Sequence, residues 1–77
     1  MQLIEACAVL YFKEKDKVQR RSFVFHLDET QTHEQVLKRA CSESGIDQWV
    51  KSNGVANYTI KIIIKHWVFY YTRYEND

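Results

Sequence analysis

The sequence predicts a small α+β domain: an antiparallel sheet of ββαβ order, strand order 2-1-3, with one helix packed on one face. Three observations carry this. Two stretches near the N-terminus alternate apolar and polar residues around a short polar break, the pattern of a β-hairpin. One segment after Thr32 changes to three- and four-residue spacing behind a capping signature. Residues 58–74 then form a dense run of β-branched and aromatic side chains, the composition of strand.

The first strand occupies residues 2–13, with Ile4, Ala6, Ala8, Leu10 and Phe12 on one face and Leu3, Glu5, Cys7, Val9, Tyr11 and Lys13 on the other. The first face is wholly apolar and its two alanines let a helix approach closely. The apolar content of both faces marks a central strand. Residues 14–17 form a polar break, read as a loop of about four residues because no Asn-Gly pair is present. Val18 to Leu27 alternates again, with Phe23, Phe25 and Leu27 set against Ser22, Val24 and His26.

Thr32 and Gln35 fit a capping box, Val36, Leu37, Ala40 and Cys41 follow at helical spacing, and Ser44-Gly45 supplies the C-cap. Residues 46–54 read as a single helical turn in which Trp49 and Val50 close the end of the core and Gly54 reverses the chain. Taken as one strand of about 3.3 Å per residue, 58–74 would span nearly 60 Å against a usual ~20 Å. The run must therefore break, and Lys65-His66-Trp67 is the expected place. Residues 67–75 then form a short fourth strand, or pair with another chain.

The 77 residues are expected to make one domain, residues 1–77. Eleven basic against ten acidic side chains leave a net charge of +1, which gives no global pull toward nucleic acid or anionic membrane. The charges are segregated, however: residues 13–21 hold five basic and two acidic side chains, and residues 28–47 hold five acidic and two basic. Cys7 and Cys41 lie in apolar patterns and read as small buried hydrophobes, so a reducing, cytoplasmic compartment is expected. The N-terminus has no basic segment and is interrupted by Glu5, unlike a signal peptide. The charges at Lys61, Lys65 and Arg73 argue against a membrane span.

Chemistry-bearing motifs are missing. Cys7, His26, His33, Cys41 and His66 fall in no CxxC, HxxxH or HExxH spacing, and there is no Gly-rich phosphate loop and no G-x-S-x-G. Cys7 and His26 share a face of neighbouring strands, but a buried thiol beside a surface imidazole is the ordinary explanation. The expectation is a protein that is not an enzyme and carries no metal or other cofactor.

Binding is the remaining class. Tyr11, Val24, Ile63, Lys65, Trp67, Phe69 and Tyr71 are expected to form a contact surface on the outer sheet face, with Arg20, Arg21, Lys61 and Arg73 as its charged rim. The occupant would be a protein partner or a second copy, making the chain a small regulator, inhibitor or adaptor. Its size fits the accessory proteins of phages and mobile elements. The competing expectation is a nucleic-acid module that uses the basic hairpin, Lys13, Lys15, Lys17, Arg20 and Arg21, together with the Lys and aromatic residues of the last run. Lysines on an edge strand are also an ordinary guard against sheet aggregation.

Overall fold

The structure, a computed structural model, describes residues 3–28, 31–65 and 67–74. It is an α+β fold with four antiparallel strands and two helices: β1 (Leu3–Glu14), β2 (Lys17–Asp28), α1 (His33–Glu43), α2 (Ile46–Ser52), β3 (Tyr58–Ile64) and β4 (Trp67–Arg73). The sheet order is β2-β1-β3-β4, so β1 is central and the expected 2-1-3 order is extended by a fourth strand within the same chain. The expected single turn at 46–54 is instead a second helix of seven residues. Its start is set by Gly45 at φ 93°, a left-handed position that ends α1 and lets α2 begin at once.

Both hairpins are tighter than the sequence suggests. Glu14 pairs with Lys17, so the first turn has two residues rather than four, Lys15 at φ 52° and Asp16 at φ 66°. Positive φ at both positions is the type I′ turn, whose twist matches that of the strands. Here it forms without glycine. Ile64 pairs with Trp67, so two residues also separate β3 from β4, the first of them Lys65 at φ 52°. That turn solves the length problem of the 58–74 run by folding it back on itself. His66, where the break was expected, and residues 75–77 lie outside the described residues.

One face of the sheet carries the core. Ala6, Ala8 and Leu10 of β1, Phe25 and Leu27 of β2, and Tyr58, Ile60, Ile62 and Ile64 of β3 pack with Val36 and Ala40 of α1 and Ile46 and Val50 of α2. The burial of β3 alternates strictly along its length, as a strand covered on one face requires. Cys41 and Leu37 are only half-buried at the margin of this core, and Cys7 is half-buried on the opposite face. The expected capping box is present: the Gln35 amide donates to Thr32 Oγ1 at 3.3 Å, and Gln35 Oε1 accepts from the Thr32 amide at 3.0 Å.

Trp49 pins α2 to the hairpin. Its ring lies 5.2 Å from Phe12 and 6.5 Å from Phe23, and the Arg21 guanidinium sits 5.0 Å above it. α1 is held to both edges of the sheet. His33, in its first turn, stacks on Phe69 of β4 at 4.6 Å and meets Trp67 edge-on at 5.0 Å. Arg39 donates to the His26 carbonyl of β2 at 2.8 Å while pairing with Glu43 at 2.6 Å.

Candidate functional site

Helices cover one side of the sheet, and the described residues leave the other side open. Register and alternation place Leu3, Glu5, Cys7, Val9, Tyr11 and Lys13 of β1 on this open face. Beside them lie Val18, Arg20, Ser22, Val24 and His26 of β2, Thr59, Lys61 and Ile63 of β3, and Val68, Tyr70 and Thr72 of β4. Leu3, Val18, Val24, Val68 and Tyr70 are exposed on it, from 50 % for Val68 to 65 % for Val18, with Tyr70 at 63 %, while Tyr11 and Ile63 are half-buried. Val9 at the centre lies between Ser22 and Lys61 of the flanking strands and is buried. Lys61 Nζ stands 6.0 Å from the Tyr70 ring, Thr59 and Thr72 share a hydroxyl hydrogen bond of 3.0 Å, and His26 approaches Glu5 at 3.9 Å.

Of the expected contact residues, Tyr11, Val24 and Ile63, with Arg20 and Lys61, meet on this face. Trp67, Phe69 and Tyr71 do not. The cause is the turn: because Ile64 pairs with Trp67, odd-numbered residues after the turn share a face with even-numbered residues before it. Trp67 and Phe69 therefore join the helix side, where His33 packs on both, and Val68 and Tyr70 take their places on the open face. Lys65 sits in the turn and belongs to neither strand. Placing Trp67, Phe69 and Tyr71 beside Ile63 carries the two-residue alternation straight through the expected break; the two-residue turn instead brings Val68 and Tyr70 there. The polar Lys65-His66 pair was the signal that the count restarts.

Two rim residues also move. Arg21 points to the helix side, over Trp49. Arg73 lies opposite Tyr58 on the helix side, within a polar corner formed with Cys41 and Asp47. Burial, aided by nearby Asp47 and opposed by Arg73, pushes the Cys41 thiol from its ordinary 9.0 up to about 11. Burial likewise raises the Tyr58 phenol, against a hydrogen bond and positive charge from Arg73. A thiol so held stays protonated at neutral pH, the wrong state for a nucleophile. Cys7 lies across from Val24, and His26 across from Glu5, so the pair considered from sequence is diagonal rather than directly opposed.

The basic hairpin is divided as well. Lys13 and Arg20 fall on the open face, Lys17 and Arg21 on the helix side, and Lys15 in the turn. Among the described residues, no three or more His, Cys, Asp or Glu side chains come together as a metal would require, and no helix is long and apolar enough to cross a membrane. No protein-family model, curated protein or solved structure matches the chain.

Proposed function

We propose that the chain is a binding protein whose open sheet face receives a protein partner, so that it acts as a small regulator, inhibitor or adaptor rather than as an enzyme. The supporting observation is the open face itself. Val24, Val68 and Tyr70 flank the strip formed by Cys7, Val9, Tyr11 and Ile63, with Arg20, His26 and Glu5 toward the margin and Lys61 within the face, between Val9 and Tyr70. Apolar and aromatic groups inside a charged border are the usual anatomy of a protein-binding patch, and exposed apolar surface of this kind on a two-layer fold invites a third layer. A partner with its own apolar strip and carboxylates placed opposite Arg20 at the edge and Lys61 within the face fits these cations.

The nucleic-acid reading draws less support, since the basic side chains are split between faces and the turn separates Lys61 from Trp67 and Phe69. One experiment separates the two. Immobilised chain is offered cell extract and washed above about 0.5 M salt, where phosphate contacts are heavily screened. A protein retained by the wild type and lost with Val24→Asp supports the face. Retention of nucleic acid alone, released by salt and indifferent to Val24→Asp, would replace this reading with the other.

A further inference from the structure

The two edges of the sheet are unlike. On β2, the two-residue turn fixes which backbone groups point outward: Lys17 faces β1, so Val18, Arg20, Ser22, Val24 and His26 present their amides and carbonyls to the outside. That edge carries Lys17, Arg20 and Arg21, and Arg39 of α1 caps the His26 carbonyl. Charge and cover of this kind block strand addition. On β4, by the same reasoning, Trp67, Phe69, Tyr71 and Arg73 turn their backbone groups to β3, and Val68, Tyr70 and Thr72 turn theirs outward. Its sequence, Trp-Val-Phe-Tyr-Tyr-Thr-Arg, has strong strand preference, no proline and a single charge.

We propose that β4 is a dimer seam, pairing antiparallel with β4 of a second copy about a twofold axis at Tyr70 and joining two four-stranded sheets into one of eight. The strand is self-complementary about that residue. The outward set is symmetric around it: Tyr70 meets Tyr70 of the partner subunit, and Val68 meets Thr72 of the partner subunit, so every outward backbone group of the strand gains a bond across the seam. On the helix side Phe69 falls beside Tyr71 of the partner subunit, and Arg73 falls beside Trp67 of the partner subunit, so the lone charge meets no like charge across the seam.

Neighbouring registers are worse. Centred on Phe69, the pairing sets Arg73 against Lys65 of the partner subunit, like charges facing each other. Centred on Tyr71, it leaves Trp67 and Val68 without a partner in the described strand. A net charge of +1 adds little repulsion between copies. This inference concerns the edge and does not rest on the open face binding a partner. It would, however, lay two such faces side by side.

Sedimentation equilibrium in reducing buffer up to about 300 μM tests it. The wild type should reach twice the chain mass of 9.3 kDa. Val68→Lys with Thr72→Lys places like charges opposite each other twice across the seam and should weaken the dimer at least tenfold. Val68→Lys with Thr72→Glu places opposite charges there and should restore it. Far-ultraviolet circular dichroism verifies that each variant keeps its fold. A wild type that stays monomeric throughout, or a dimer that neither pair of substitutions alters, overturns the proposal. So does a dimer lost equally in both.

Discussion

The parity change at the β3–β4 turn makes Trp67 a stability residue and Tyr70 a face residue, and alanine substitution separates them. Trp67 is 48 % exposed, so about half of a tryptophan's ~220 Å² is buried against its neighbours. At ~25 cal/mol per Å² this is worth nearly 3 kcal/mol, or roughly 2 kcal/mol once a compact unfolded chain is allowed for. The edge-on contact with His33 adds several tenths. Tyr70, at 63 % exposed, buries about a third of its surface, worth roughly 1 kcal/mol. In a domain of this size each 1 kcal/mol moves the melting midpoint by about 4–8 °C. Trp67→Ala should therefore lower it by about 10–15 °C and Tyr70→Ala by about 5 °C. Thermal melts followed by circular dichroism at low micromolar concentration, repeated at a second concentration to expose any dimer contribution, decide it. Equal losses, or a larger loss for Tyr70→Ala, would mean that the strand presents its other face to the helices.

Three further outcomes follow from local structure. Lys15→Asn with Asp16→Gly suits both left-handed turn positions and should raise stability by about 0.5–1 kcal/mol in urea titration; a decrease would argue against a type I′ turn. Thr32→Ala removes the hydroxyl that caps α1 and should cost about 1 kcal/mol, whereas an unchanged urea midpoint would dismiss the cap as a contributor. The Cys41 thiol has a folded pKa above its unfolded one, so its stabilising contribution is complete below pH 9.0 and is lost as pH rises toward about 11. Tyr58 acts in the same direction, beginning above its ordinary 10.0. Stability should therefore decline above pH 9, and less steeply in Cys41→Ser; parallel curves for the two proteins would remove Cys41 as a contributor.

Much of this fold can be read from local pattern, because alternation and capping are local signals. The apolar face of β1, the hairpin partner β2 and the Thr32–Gln35 cap all appear where side-chain period and hydrogen-bonding chemistry put them. What the sequence left open depends on one residue of count. A two-residue turn and a continuous strand contain similar side chains, yet they assign opposite faces to everything downstream, so Tyr11, Val24 and Ile63 were placed correctly while Trp67 and Phe69 were exchanged for Val68 and Tyr70. The first turn, expected at 14–17 as a loop of about four residues, has two for a related reason: Lys15 and Asp16 take a conformation normally advertised by glycine or asparagine. Arg21 and Arg73 were expected on the rim, but alternation along β2 puts Arg21 on the side of Phe23 and Phe25, and the β3–β4 turn puts Arg73 opposite Tyr58.

Site-specific photocrosslinking tests the claim about the open face most directly. A benzophenone side chain is introduced by Tyr70→p-benzoylphenylalanine on the open face, and by Lys38→p-benzoylphenylalanine on the exposed side of α1. Each protein is irradiated in cell extract, and adducts are identified by mass, which separates self-adducts from foreign ones. A discrete foreign protein captured from position 70, missing from position 38 and lost when Val24→Asp is added, is the expected result. Capture from position 38 alone, or a position-70 adduct indifferent to Val24→Asp, would contradict it.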